Sequence, residues 1–157
     1  MGGSVTSPFP LKETSSALVA LDCVSVVPWD AGSVSVSVTV VGEHERAHVQ
    51  FLERKLGGNA AARPTFDFAG TTSDPDTFAG TAVEVEETAA AAYIGQGANL
   101  TRRLVSDAAR ICAVEARHAA WIRDFVNQHP APRAADPARS AAEVTAELRR
   151  LGLVTES

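Results

Sequence analysis

The sequence predicts an all-α protein, a bundle of three long helices with a short helix near the C-terminus. Two segments, around Glu45 and Glu115, place apolar residues at helical spacing over several turns. Between them, residues 78–94 are rich in alanine and carry a single glycine, Gly80. Glycine and proline lie between these segments, where helices commonly end.

Local signals mark where the helices begin and end. The first helix is predicted to end at Gly57 and Gly58, and the second to start at Asp74 and Pro75. The third should start at Asn99 or Thr101 and end near Gln128, and the last should start at Asp136 and Pro137. Phe66 and Phe68 follow the first helix, and we expect them to fold onto the end of the bundle. The last helix should turn Val144, Leu148 and Leu151 inward.

The two outer segments share a pattern in which a glutamate precedes a histidine by three positions. The pairs are Glu45 with His48 and Glu115 with His118. At about 100° per residue, such positions lie about 60° apart on a helix, so both side chains can reach one metal ion. Each glutamate continues an apolar stripe, which predicts that it points into the core. The stripes are Val38, Val41, Val49, Leu52 and Leu56, and Leu104, Ala108, Ile111, Ala119 and Ile122.

Glu86 is a third candidate for an inward carboxylate. It shares a helical face with small residues and a tyrosine, whereas Glu84 points nearly the opposite way and Glu87 lies about 100° round. The residues on that face are Ala79, Ala82, Ala89, Ala90 and Tyr93. The alternative is that Glu86 lies at the edge of a polar face.

An ionised carboxylate buried without a partner costs several kcal/mol, so these side chains need cations, protons or one another. One interpretation is a metal site made by Glu45, His48, Glu86, Glu115 and His118. The other is a set of hydrogen bonds among these residues, or to arginines across the bundle, with no ion.

Two neighbours of the candidate ligands have open roles. His44 lies about 100° from Glu45 on the helix, so we expect it not to share the ion, but either to flank the site or to contact one of the ligands from outside. Tyr93 lies two turns after Glu86, where it could hydrogen-bond a ligand carboxylate, stand near a metal centre or be an ordinary core tyrosine. Cys112 is expected to be a buried free thiol.

The N-terminal region has a different composition. Residues 24–41 alternate valine with serine or threonine and carry Pro28 and Gly32, which predicts a strand or irregular chain. We therefore divide the chain into an atypical N-terminal segment (1–41) and a helical domain (42–157).

Bulk properties exclude several function classes. At 157 residues and a net charge of −5, the chain is expected to be one domain without a basic stripe, which argues against nucleic acid binding. No apolar run approaches the ~20 residues that span a bilayer, and the start lacks the features of a secretory signal. As written, the chain is expected to be cytoplasmic, or exported if its native N-terminus carries a missing signal.

Four runs resemble a bacterial family of ferritin-like domains that also includes plant desiccation-related proteins. They are GEHERAHVQFL (42–52), RPTFDF (63–68), VEETAAAAYIGQ (85–96) and AVEARHAAWIR (113–123). The resemblance implies a ferritin-like four-helix bundle with a di-iron or di-manganese carboxylate site. By position, Glu45 and Glu115 would bridge two ions, His48 and His118 would be terminal imidazoles, and Glu86 a terminal carboxylate.

A complete site of this type takes one further glutamate from a helix before the first Glu-x-x-His helix, and no glutamate lies between Glu13 and Glu43. Asp22, in a short predicted helix over residues 11–23, is the only acidic residue there within an apolar stretch. Three explanations stay open: a degenerate site, a ligand from a partner chain, or an N-terminus altered by a frame or start error.

The resemblance implies Fe(II) oxidation or peroxide removal, with Fe or Mn as cofactor. The alternative is a non-catalytic ferritin-like scaffold, related to stress or desiccation, without bound metal. A third interpretation is a damaged gene product without function. A bundle that lacks its first helix would also expose a groove, which predicts self-association.

Overall fold

A computed structural model describes residues 33–59, 65–68, 70–72 and 74–154. The described chain forms four α-helices: α1 (Ser33–Leu56), α2 (Pro75–Gln96), α3 (Arg102–Phe125) and α4 (Ala141–Arg150). Within these ranges the extended structure is limited to an isolated antiparallel bridge between Phe66 and Val154. The all-α prediction is confirmed. None of the described helices combines the length and apolar character that crossing a bilayer requires.

The start of α1 corrects one sequence prediction. Residues 33–41, whose alternation of valine with serine or threonine predicts a strand or irregular chain, are helical. The prediction was wrong for these residues because β-branched side chains lower helix propensity by only about 0.5 kcal/mol each, and extending a formed helix needs no new nucleus. Residues 24–32, like the predicted helix over 11–23, lie outside the described residues.

α2 is the central helix of the bundle. It begins at the predicted cap, where the Asp74 carboxylate accepts hydrogen bonds from the backbone N–H groups of Asp76 (3.1 Å) and Thr77 (2.9 Å), and Pro75 takes the first helical position. Buried side chains occur on nearly every side of α2, as expected for a helix covered on several faces. These are Phe78, Ala82, Val83, Val85, Glu86, Thr88 to Tyr93 and Gln96.

α3 follows α2 through a short connection and packs along it. It begins after Thr101, as one predicted start requires, but it ends at Phe125 and not near Gln128. Asn127 adopts a positive φ of 56°, and the backbone N–H of Gln128 donates to the carbonyl of Arg123 at 2.8 Å. This left-handed asparagine ends the helix three residues early.

α4 begins at Ala141, later than the predicted start at Asp136. A reciprocal pair of hydrogen bonds between Ser140 and Glu143 caps this helix and explains where it starts. The inward side chains are those predicted, since Val144 and Leu148 are buried and Leu151 is half-buried.

The segment between α3 and α4 lies against α2. The backbone N–H of Arg139 donates to the carbonyl of Ala91 at 3.0 Å, and its guanidinium donates to the hydroxyl of the buried Thr88 at 2.9 Å. A Cβ placed on Gly95 would lie 1.9 Å from the carbonyl oxygen of Arg139. The close approach therefore depends on a glycine at position 95.

Two apolar clusters hold the bundle together, one toward each end. The smaller is formed by Val41, Phe78 and Ala82, with Ile122 packed against it. The larger is formed by Val85, Ala89, Ala92, Tyr93, Ile111, Val144, Leu148 and Leu153. Phe66 and Phe68 pack against the larger cluster, as predicted for the loop aromatics. Between the clusters, α1, α2 and α3 face one another with charged side chains.

Candidate metal centre

Three helices place one group of buried ligand-type side chains between the two apolar clusters. Glu45 from α1, Glu86 from α2, and Glu115 and His118 from α3 each offer one ligand atom, and these atoms lie within 4.8 Å of one another. The four residues are at most 3 % exposed. The structure thus brings together four of the five residues predicted as ligands.

The apolar stripes explain why these charged side chains point inward. On α1, Glu45 lies between the buried Val41 and Val49, and on α3, Glu115 lies one turn after the buried Ile111. Burial of the aliphatic neighbours fixes the rotation of each helix about its own axis. Because the glutamate lies on the same face, its side chain also points inward. On α2, Glu86 is fully buried. Glu84 is exposed, as predicted, and pairs with Arg150.

His48, the fifth predicted ligand, lies at the side of this group. Its Nδ1 is 3.1 Å from Glu115 Oε1 and 3.4 Å from Glu45 Oε1, and its side chain is 15 % exposed. On the other side, His118 Nδ1 lies 3.2 Å from Glu45 Oε1, 3.3 Å from Glu86 Oε2 and 3.5 Å from Glu115 Oε2. The two oxygens of Glu115 therefore face different imidazoles.

The group leaves much of its hydrogen-bonding capacity unused. Buried oxygen and nitrogen atoms without a hydrogen bond are Oε1 of Glu45, Nδ1 of His48, Oε1 of Glu86, and both carboxylate oxygens of Glu115. Nδ1 of His48 thus lies close to oxygens of Glu115 and Glu45 without the geometry of a hydrogen bond. Buried polar atoms without partners are rare and costly, and metal ions would use these lone pairs. The donor set fits one or two transition-metal ions.

Without metal, protons balance the charge of the group. Burial alone would lower the pKa of both histidines, but the neighbouring carboxylates raise it to about 9 for His48 and about 11 for His118. Burial raises the pKa of Glu86 well above its usual value. Burial would also raise the pKa of Glu115, but His118 and His48 hold it at about 2. At neutral pH the metal-free group thus holds two imidazolium ions and the ionised Glu115, and burial favours the protonated form of Glu86.

His44 contacts the group, in agreement with the second of its two predicted roles. Its Nδ1 lies 3.0 Å from His118 Nε2, and the two rings are nearly parallel with centroids 5.2 Å apart. The contact crosses from α1 to α3, so the spacing along one helix could not reveal the partner. Tyr93 is buried in the larger apolar cluster. Burial first, then the charges of Glu115 and Glu45, raise the pKa of its hydroxyl well above the usual value.

A cavity of about 530 Å³ opens between α1 and α3 beside His48. Its wall combines apolar side chains with two arginines and an aspartate. The lining residues are Ala47, His48, Phe51, Asp107, Arg110, Ile111, Ala113, Val114 and Arg117. His48 is the one predicted ligand on this wall, so the cavity gives access to its side of the group.

Two further predictions concern residues away from the group. Asp22, the acidic candidate in the N-terminal segment, lies outside the described residues, so its role stays a prediction. Cys112 is a free, half-buried cysteine whose thiol lies 3.6 Å from the carbonyl oxygen of Ala90. Its pKa is raised, mainly by burial, which disfavours the reactive thiolate.

One comparison with known proteins gives a match. The family model described as a ferritin-like domain matches residues 31–128, which include α1, α2, α3 and all five predicted ligands. No curated protein and no solved structure matches the chain.

Proposed function

Because the chain belongs to the family of ferritin-like domains, we propose that α1, α2 and α3 together bind two transition-metal ions. Glu45 and Glu115 would bridge the ions. His118 and Glu86 would complete the ligands of one ion, and His48 would bind the other. Carboxylate and imidazole donors favour iron or manganese.

The observation that supports this proposal most directly is the position of the carboxylates between two imidazoles. Glu115 directs Oε1 toward His48 and Oε2 toward His118, and Glu45 Oε1 lies within 3.4 Å of both Nδ1 atoms. A cluster that served only to pair charges would satisfy its buried atoms, but both oxygens of Glu115 lack a hydrogen bond.

The reaction we propose is oxidation of Fe(II) or removal of peroxide. Iron or manganese held in the site would give electrons to dioxygen or peroxide, which would be reduced as the metal is oxidised. The residues would hold the ions at fixed positions, and His48, beside the cavity, would leave its ion accessible to small reactants. The described residues supply one terminal carboxylate, Glu86, so we expect weaker binding at the His48 side.

Elemental mass spectrometry on protein loaded anaerobically with Fe(II) or Mn(II) tests the proposal. We expect about two ions per chain, lost when Glu115→Ala and His118→Ala are combined. The matched control is Glu84→Ala with His129→Ala, which changes an exposed glutamate and an exposed histidine away from the group. Equal metal content in both double variants would contradict the site.

Oxygen chemistry is tested on the same material. Admitting air to the Fe(II)-loaded protein should produce an absorbance change that the double variant at Glu115 and His118 lacks. Bound metal without such a change would retain the site and reject the oxidase function.

A second candidate function is a non-catalytic ferritin-like scaffold, of the kind associated with stress or desiccation. The charge balance of the metal-free group favours it, since protons on His48 and His118 already offset much of the buried charge. It predicts a protein that folds fully in the presence of a chelator and retains no metal after purification.

Self-association is part of the same proposal. The groove between α1 and α3 carries the cavity beside His48, and Trp121, two turns after Val114 on α3, is 39 % exposed. We expect a second copy of the chain to cover this groove. Analytical ultracentrifugation should then show a dimer that Trp121→Glu weakens, and a monomer for both proteins would reject it.

A further inference from the structure

A contact between two histidines links the surface of α1 with the buried group. His44 is exposed and His118 is buried, and His44 Nδ1 lies 3.0 Å from His118 Nε2. The rings are nearly parallel, with an angle of 13° between their planes. The rings thus meet edge to edge and lie nearly in one plane, as an N–H···N hydrogen bond requires, so the contact restrains both the position and the tilt of the His118 ring.

The two nitrogens of His118 face different partners. Nδ1 lies within 3.5 Å of carboxylate oxygens from Glu45, Glu86 and Glu115, whereas Nε2 faces His44. A neutral imidazole that binds a metal through one nitrogen carries its proton on the other. If Nδ1 binds the ion, Nε2–H must donate, and Nδ1 of His44 is the acceptor within reach.

We propose that His44 is a positioning residue that accepts a hydrogen bond from His118 Nε2–H and keeps His118 Nδ1 directed at the carboxylates. Its role in metal binding rests on the proposed function, but the hydrogen bond itself requires no metal. Partners of this kind fix the tautomer and orientation of metal-binding histidines, and their loss typically weakens metal binding about 10- to 100-fold.

The effect should be confined to one of the two ions. His118 shares its surroundings with Glu86, while His48 lies on the other side of Glu115 and lines the cavity. Loss of the His44 contact therefore acts on the ion beside His118 and leaves the ion beside His48 in place. A general loosening of the fold would weaken both.

Two substitutions separate hydrogen bonding from packing. His44→Ala removes the acceptor, whereas His44→Asn retains one, because Oδ1 of asparagine is as many bonds from the backbone as Nδ1 of histidine. His129→Ala is the control, because His129 is an exposed histidine outside the group. The thermal stability of each variant shows whether it folds.

Long-range ¹H–¹⁵N NMR of the metal-free protein tests the hydrogen bond. We expect a ring N–H proton of His118 that exchanges slowly with water in the native protein, in His44→Asn and in His129→Ala. In His44→Ala it should exchange fast. Equal exchange in all four proteins would overturn the inference, whether or not the protein binds metal.

Anaerobic titration with Mn(II) or Co(II) tests the consequence. In His44→Ala, one binding step should weaken about 10- to 100-fold and the other should stay unchanged, and His44→Asn should restore the weakened step. Equal weakening of both steps, or no recovery with asparagine, would reject the positioning role. If the native protein itself binds no metal, the proposed function fails, and the NMR result decides the hydrogen bond alone.

Discussion

Glu115 is the residue on which the two halves of the candidate site depend. It is fully buried, it is ionised because His118 and His48 hold its pKa at about 2, and each of its oxygens faces a different imidazole. Removing one member of a buried charged group leaves the others without compensation, which costs more than the interaction itself contributes. Substitution of Glu115 should therefore lower the free energy of unfolding even in the metal-free protein.

Glu115→Gln should destabilise the metal-free protein by about 3 kcal/mol, because two imidazolium ions lose a common counter-charge. Urea denaturation at pH 7 with a chelator measures the free energy of unfolding. Glu84→Gln is the control, and a change within about 0.5 kcal/mol is expected there because Glu84 is exposed. Equal stability of the Glu115 variant and the native protein would contradict the charge assignment.

The raised pKa of His48 predicts how metal-free stability depends on pH. The folded protein binds this proton more tightly than the unfolded chain, with a pKa of about 9 against 6.5. The stabilisation is thus complete below pH 6.5 and is lost as the pH rises toward 9. We expect His48 to account for about 2 kcal/mol of the loss over this window, and His118, with a pKa of about 11, to add to it. Urea denaturation with a chelator present measures the total. His48→Gln should make this part of the profile less steep, with the slope due to His118 remaining, and an unchanged slope in that variant would assign the effect elsewhere.

At the scale of elements, α2 is closely packed on the side away from the candidate site as well as on the side that carries Glu86. The segment before α4 crosses it at Gly95, where Arg139 bonds to the backbone of Ala91 and to Thr88. This crossing, with the capped α4, covers the side of α2 that faces away from the candidate site. The helix that carries Glu86 is therefore fixed from both sides.

Gly95→Ala should destabilise the protein by about 1–3 kcal/mol, because the new methyl group meets the Arg139 backbone and forces the segment off α2. Gly80→Ala is a matched control in the same helix, since nothing lies within 4 Å of a Cβ there. It should be neutral or stabilising by up to about 1 kcal/mol. Thermal denaturation compares the two variants, and a smaller loss at Gly95 than at Gly80 would refute the close contact.

At the scale of the whole molecule, the sequence predicts the fold class and most of the candidate site because both depend on helical spacing. The inward positions of Glu45, Glu86 and Glu115 follow from one periodicity applied to three segments. A contact of His44 with a ligand was one of two predicted alternatives, but its partner, His118, could not be predicted, because the pairing depends on how two helices distant in sequence are placed side by side. The helical start at Ser33 was missed because local propensity is weak against the cooperativity of a helix.

Metal binding should also be visible as stability of the entire bundle, because the proposed ligands come from three helices. At a free Mn(II) concentration 100 times the dissociation constant, binding of one ion contributes about 2.7 kcal/mol. For a chain of this size that corresponds to a rise in Tm of about 5–10 °C, reversed by a chelator. The double variant at Glu115 and His118 should show no rise. A native protein that retains metal without any rise would indicate binding outside the bundle.

Trp121 gives this molecule an optical reporter of its own metal chemistry. It is 39 % exposed and follows His118 by one helical turn. Its indole emission should be quenched when a paramagnetic ion binds beside His118. The chain has one other tryptophan, Trp29, so Trp29→Phe makes the signal specific. Stopped-flow fluorescence could then time the arrival of each ion without a label, and quenching in one step of two would identify which side of the site fills first.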